Sequence, residues 1–337
     1  MLKIFMKLIS FFLIILLYFS NAYSNVESEF ELWKKEFKAF ALENGVSEKT
    51  YLKTIPKVKF LPKVIEYDRF QPEFYEDTKT YISKRTSEAK VKKGLEFYNN
   101  NKELIDEIEK KFNIDKELLL ALMGIETNFG TYVGKMDILS SLATLSFDKR
   151  RSKFFSNELV ILLKLIDQNL VDYETLYGSW AGAFGFFQFM PSTIKNYAID
   201  YNNDNFIDLK NPIDAYASAA NYLNKIGWSN REPCYYKVNL NAGVPKKYLN
   251  VSAKKLNNKN KIKFFSKFIE NYKELDLTEE NFLSAIITPD KDIIPDAETL
   301  DPAYVVFDNY EVILKWNRSL RFGLAVCTLK DKFKNEL

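Results

Sequence analysis

Apolar residues recur at helical spacing along most of the chain. Phe30, Trp33, Phe37, Phe40 and Ala41 share one face of residues 29–45, and Gly45 stops that run. Residues 86–112 continue in the same style, with Leu95, Tyr98, Leu104, Ile105, Ile108 and Phe112. Asp115 is placed to cap a helix reading KELLLALMGIETNFG, and another helix is predicted from about Ser156 to Gln168. A glycine-rich stretch, GSWAGAFGFFQFMP, follows at 178–191. Beyond Trp228 the pattern changes. Residues 233–252 and 303–314 are rich in Tyr and Val with partial alternation, interrupted by Pro and Asn, which predicts a small antiparallel β subdomain. Residues 253–285 return to charged helical or loop character. The pattern as a whole is that of a mainly α protein.

The first segment reads as an address. Lys3 and Lys7 precede an apolar run from Leu8 to Phe19, and Ala22 and Ser24 stand at the −3 and −1 spacing of a signal-peptidase site. Residues 1–24 are therefore expected to be a secretory signal peptide, too short for a comfortable membrane span. An uncleaved anchor is the alternative, and no cysteine follows the run to carry a lipid. Export implies an oxidising compartment, where Cys234 and Cys327 can pair; count alone leaves that open.

Composition narrows the chemistry further. The 337 residues are 47% apolar and 28% charged, as in globular proteins. Lys and Arg total 48 against 45 Asp and Glu, and without Lys3 and Lys7 the excess falls to one, which gives no case for nucleic-acid binding. There is no histidine. Ser-His-Asp and Cys-His catalysis and His-ligated metals are excluded. Two isolated cysteines cannot form a zinc knuckle. Carboxylates are left as the leading acid–base groups.

Four features could carry chemistry. Glu126 lies on the helix face of Leu119 and Leu122, with Met123, Ile125 and Phe129 nearby. A carboxyl held there loses hydration, which favours the protonated form a general acid needs; a helix-end Glu reaching solvent is the alternative. In the stretch 178–191, closely spaced glycines permit unusual backbone angles, and aromatic rings with Ser179 and Gln188 suit a sugar; tight helix packing is the alternative. Asp200, Asn202, Asp204 and Asp208, with Ile207, match the start of a calcium loop, although Asn205 and Asn211 replace the usual Gly and closing acid. Closure would need Asp214, and a plain polar turn is the alternative. Arg150 and Arg151, two of only seven arginines, stand side by side and could clamp a carboxylate or simply lie in solvent.

In register, these pieces resemble the lytic murein transglycosylase B family. The resemblance runs from about residue 29 to the C-terminus through DRFQPEF (68–74), GIETNFG (124–130), LATLSFDKRR (142–151), GSWAGAFGFFQFMP (178–191), the calcium-type loop, ANYL around Tyr222, GW (227–228) and NYEVILKWNRS (309–319). It implies a lysozyme-like helical core (101–231, with the calcium-type loop at 200–214), an N-terminal helical region (25–100), a β subdomain with a helical insert (232–314) and a C-terminal helix (315–337). It implies Glu126 as the sole catalytic acid and base. Ser179, Gln188, Tyr222, Arg150 and Arg151 fall on positions lining the family's sugar groove. Asp200, Asn202, Asp204, the carbonyl of Phe206 and Asp214 fall on its calcium positions. Phe187 stands where many members have glycine and would narrow a subsite; Cys234 stands where many have tryptophan.

The implied activity is cleavage of the MurNAc–GlcNAc bond of periplasmic peptidoglycan, leaving 1,6-anhydro ends, by a monomer that needs no cofactor for catalysis and at most a structural Ca2+. A single carboxylate assisted by the substrate's N-acetyl group agrees with the missing histidine. A hydrolytic muramidase and a non-catalytic wall-binding protein are the alternatives.

Overall fold

Short polar side chains set six of the helix starts. Ser47, Asp77, Ser87, Asp137, Asn211 and Ser319 each accept a backbone N–H from the first turn that follows, satisfying one of the donors a helix leaves unpaired at its N-terminus. The computed structural model describes residues 26–70, 75–277, 281–291 and 300–337. The expected signal peptide, 1–24, and residues 71–74 of the DRFQPEF segment lie outside them.

In chain order the helices are α1 (26–43), α2 (Glu48–Thr54), α3 (Pro62–Arg69), α4 (Thr78–Arg85), α5 (Glu88–Asn100), α6 (Lys102–Phe112), α7 (Lys116–Thr127), α8 (Ile138–Phe147), α9 (Ser152–Asp167), α10 (Pro191–Tyr197), α11 (Pro212–Ile226), α12 (Ile262–Phe265), α13 (Asp308–Trp316) and α14 (Leu320–Glu336). The strands are β1 (Met136–Asp137), β2 (Tyr177–Gly178), β3 (Tyr235–Val238), β4 (Leu249–Asn250), β5 (Asn260–Lys261), β6 (Leu283–Ile287) and β7 (Ala303–Phe307). The protein is mainly helical. It forms two compact units.

The first unit comprises residues up to Arg69, Gly134–Ala183 and Met190–Ser192. Its centre is α8, buried from Ile138 to Ser146 and packed on α9. Two α8 hydroxyls do structural work within it: Ser140 Oγ accepts from Lys59 N and Thr144 Oγ1 from Leu61 N, fixing the segment between α2 and α3. Phe30, Phe60 and Phe147 pack ring on ring beside Trp33, whereas Phe40, expected to face inward, is exposed.

The second unit comprises Phe70–Val133, Phe184–Phe189 and Thr193–Leu337. Helix α7 runs through its core, buried from Leu118 to Gly124, and packs along α14. Arg321 of α14 is fully buried and donates to Asp290 (2.8 Å), which also accepts from the backbone N–H of Thr78 (3.0 Å). That buried cation is matched by a carboxylate, as a charge out of water requires.

The sheet of this unit runs β3-β7-β6-β4, with β5 also paired to β6. β3–β7, β6–β7 and β5–β6 are antiparallel, and β4–β6 is parallel, one departure from the expected all-antiparallel sheet. Val238, Ile286, Val305 and Phe307 bury one face with Ile262, Phe265 and Ile269. Two boundaries differ from the sequence pattern. The strand at 283–287 sits in a stretch expected to be helix or loop, and residues 308–314, expected to be strand, begin α13. β7 is buried throughout and β6 beyond Leu283, so neither carries an alternation by which periodicity could mark its ends.

Cys234, just before β3, is bonded to Cys327 of α14, with Cα atoms 6.0 Å apart. Closing a loop of 93 residues removes roughly 3–5 kcal/mol of unfolded-chain entropy. The double variant Cys234→Ser/Cys327→Ser should therefore unfold at clearly lower urea concentration. An unchanged midpoint would mean the bond contributes nothing to stability.

Candidate functional site

Glu126 lies in the last turn of α7, where no basic residue is present. It therefore sits at the negative end of the helix dipole, a setting that disfavours an anion. The helix then ends abruptly: Asn128, Phe129 and Gly130 all have left-handed backbone, with φ of 50°, 57° and 75°. For a bulky residue such as Phe129 that conformation is strained. Its ring is buried against Phe97 and Phe333. Thr127 locks the turn, with its hydroxyl donating to Phe186 O (2.9 Å) and accepting from Gly130 N (3.1 Å). The result is a half-buried carboxyl emerging from an otherwise submerged helix.

Trp316, the last residue of α13, donates its indole N–H to Glu126 Oε1 at 3.1 Å. Its ring belongs to an aromatic wall. Trp316 stacks on Tyr222 at 5.0 Å, Tyr222 stacks on Tyr197 at 4.3 Å, and Phe189 meets both Trp316 and Tyr222 edge-on. Tyr222 is largely buried in this stack, and its hydroxyl donates to Lys315 O (3.3 Å); burial, then Tyr197, pushes its pKa up to about 12. It is uncharged at any physiological pH. Gln188 has left-handed backbone (φ 49°), and its amide nitrogen donates to Gly185 O (2.9 Å) and Val133 O (3.2 Å), which uses up its amide donors and leaves its oxygen as the acceptor.

Trp316 is the residue that sequence reasoning missed. It lies within NYEVILKWNRS and is one of four tryptophans, but residues 303–314 read as strand, which hid the helix that aims it. Phe187 is a correction. It is 2% exposed, packed edge-on to Tyr216 and Trp316, so it fills core and narrows no open subsite. Asp115 also departs from expectation: it occupies the N-cap position of α7, but its carboxylate accepts from Trp228 Nε1 (3.1 Å) instead of a helix N–H. The glycines of 178–191 do serve close approach. A Cβ on Gly185 (φ 78°) would lie 2.4 Å from Leu209, and one on Gly182 (φ 88°) 2.4 Å from Leu142.

The calcium-type loop also belongs to the second unit. Asn203 and Asn205 take the left-handed turns (φ 60° and 68°) that glycine would otherwise fill. Asp200 accepts from Asp204 N and Asn205 N, and Asp204 from Phe206 N. Asp214, buried at the start of α11, accepts from Tyr201 N (2.8 Å) and Asp208 N (2.9 Å). Burial raises the pKa of Asp214, and the charges of Asp200 and Asp204 raise it further. The donors are all oxygens, as a hard cation prefers, and their mutual repulsion is what a cation would relieve. Among the described residues no three acids stand together closely enough to hold an ion; in this loop the carboxylates accept from backbone N–H groups.

Ser179, Arg150 and Arg151 lie in the first unit. Ser179 closes a turn on itself, its hydroxyl accepting from Ala183 N (3.0 Å). Arg150 and Arg151 converge on Asp68, whose side chain is 1% exposed. Arg150 donates Nε to Asp68 Oδ2 (2.8 Å) and Nη2 to Asp68 O (2.6 Å), and Arg151 donates to Oδ1 (3.1 Å). Arg69 likewise pairs with Asp148 at 2.9 Å. The DRF and DKRR segments are thus one ionic cluster.

The profile of the transglycosylase SLT domain matches residues 29–331. The chain belongs to that family. It is similar to the membrane-bound lytic murein transglycosylase B of Escherichia coli K12, 38% identical over 149 residues, which is 44% of this chain and 41% of the relative. The chain thus aligns with less than half the length of that curated relative. Among solved structures it resembles SltB3 of Pseudomonas aeruginosa in complex with NAG-anhNAM-pentapeptide (30% identity, TM-score 0.79, covering 90% of this chain and 79% of that one). It also resembles the Escherichia coli lytic transglycosylase Slt35 in complex with calcium (26% identity, TM-score 0.73, 90% and 93%). Family members thus share the mainly helical architecture seen here.

Both arginines are about two-fifths exposed while Asp68 is buried, so removing one leaves a poorly compensated charge. With that exposure discounted, Arg150→Ala should cost roughly 1–3 kcal/mol, and an Asp68→Asn/Arg150→Ala cycle measured by denaturant unfolding should show strong coupling. Full stability of Arg150→Ala would show that the pair is not a structural clasp.

Proposed function

We propose that this chain is a peptidoglycan lytic transglycosylase in which Glu126 acts alone, first as general acid and then as general base. The observation that carries this reading is the Glu126 carboxyl at the end of a buried helix, held by the Trp316 N–H beside an aromatic wall. Protonated Glu126 gives its proton to the oxygen between N-acetylmuramic acid and N-acetylglucosamine. As that bond breaks, the N-acetyl group of the substrate stabilises the cation at C1. The Glu126 carboxylate then takes the proton of the C6 hydroxyl, whose oxygen attacks C1 and closes the 1,6-anhydro ring without water. No second carboxylate and no imidazole is needed.

Trp316 has two jobs in this scheme. Its indole N–H fixes one carboxylate oxygen, and its ring carries the stack of Tyr222 and Phe189, apolar faces of the kind that meet sugar rings. Gln188 offers its amide oxygen to a sugar hydroxyl or N-acetyl N–H. Tyr222 of the second unit and Ser179, Arg150 and Arg151 of the first are each proposed to meet the glycan, the two arginines being held in place by Asp68. Periplasmic location would follow from export by residues 1–24. No helix among the described residues is long and apolar enough to cross a membrane.

Product analysis tests the reading. Digestion of purified murein should release muropeptides one water lighter than hydrolytic products, and only hydrated ends would overturn it. Glu126→Gln should keep the fold and lose activity by on the order of 10²–10⁴. Undiminished cleavage would remove Glu126 from the mechanism.

Calcium is proposed as a structural ion. Asp200, Asn202, Asp204, the Phe206 carbonyl and Asp214 would hold it, its charge offsetting the repulsion among the three acids. The calcium bound to the related Slt35 supports this. At a hundredfold excess over its Kd, Ca2+ should stabilise the protein by about 2.7 kcal/mol, seen as a raised Tm that chelator reverses. The same Tm with and without Ca2+ would rule it out.

A further inference from the structure

A cavity in the second unit has a charge character unlike the rest of the chain. It encloses about 530 Å3 where α11 and α13 end, and is lined by Lys254, Lys255, Lys315 and Arg318 together with Lys259. Its two carboxylates, Asp308 and Glu311, are both paired with Lys259. Lys315 donates its ammonium to Ile226 O. Lys254, Lys255 and Arg318 are exposed and pair with no carboxylate among the described residues. These three cations come from two separate segments, the β4–β5 connection and the turn between α13 and α14, and converge on one hollow. In a chain whose Lys and Arg barely outnumber its Asp and Glu, that is a concentrated excess of positive charge.

The cavity and the aromatic wall draw on the same two helices, α11 and α13. Lys315 precedes Trp316, and its carbonyl accepts from Tyr222. The α11 end that lines the cavity, Ile226 and Gly227, follows Tyr222 by one turn. We infer that this hollow binds the acidic stem peptide that hangs from the muramic acid residues of a glycan strand. Arg318 can take a carboxylate through two parallel N–H donors, and the lysines act as mobile point charges around it. The inference rests on the murein reading above and adds to it a determinant of substrate choice. Strands whose stems carry free carboxylates would be preferred to strands with neutral stems or none.

The test uses the full-length Glu126→Gln protein, so that ligand is bound and not cut. Two ligands are titrated by tryptophan fluorescence: GlcNAc-MurNAc-pentapeptide, and the same molecule with its carboxyl groups amidated. The acidic form should bind more tightly by on the order of tenfold in low salt, and the preference should shrink as salt screens it. Adding Lys254→Gln, Lys255→Gln and Arg318→Gln should erase the preference while affinity for the amidated ligand and the Tm stay the same. Persistence of the preference in that variant would overturn the inference, as would equal weakening of both ligands. Failure of both ligands to bind the parent protein is a different result: it would overturn the murein reading itself.

Discussion

The burial of α7 is the constraint on which the second unit depends. Seven consecutive residues from Leu118 to Gly124 are closed off from solvent, so the helix has no free face on which to carry function. Its chemistry is confined to the point where it ends. Three left-handed residues in a row turn the chain away there, and the Thr127 hydroxyl holds the turn to Phe186. Left-handed backbone at Asn128 and Gly130 is easily adopted; at Phe129 it is sustained because the ring is packed between Phe97 and Phe333. The position of Glu126 is thus set by core packing, which is stiffer than any loop.

Fixing a carboxyl in this way suits a mechanism that asks one group to give a proton and then take another. A rigid acid needs only one oriented partner, and the indole N–H of Trp316 supplies an orientation without competing for protons. An imidazole or ammonium there would titrate or add charge; an indole does neither. The aromatic wall behind Trp316 also explains why Tyr222 is buried. Its ring is the middle layer of a stack between Tyr197 and Trp316, so it steadies the surface a sugar would meet more than it reaches for the sugar.

Much of this was legible in the sequence, and the gaps have physical causes. The helical period exposed α1, α5, α6 and α7 because each buries one face or all of itself. Glu126 was visible as a carboxylate out of place among Leu, Met and Phe. Trp316 was not visible as its partner, since 190 positions separate them and no local pattern encodes a contact of that range. The Asp68 clasp was hidden for the same reason: an arginine pair reads as a ligand clamp until the acid it holds, 82 residues away, is placed beside it. The β6 strand was lost because a strand buried on both faces shows no alternation. The pairing of Cys234 with Cys327 could not follow from a count of two.

The two ionic centres show how differently a charge is used once its surroundings are known. Asp68 is closed off and its cations are consumed in holding it, so the cluster fixes backbone and has little left to offer a ligand. At the ends of α11 and α13 the balance is reversed, because Lys259 takes up both local carboxylates and the remaining cations face open solvent. Exposed, unpaired positive charge loses little hydration on its own and gains Coulomb energy only when an anion arrives. It contributes little to the fold, and its most direct use is recognition. On the murein reading, the stem carboxylates beside the glycan are the anions such a hollow would meet.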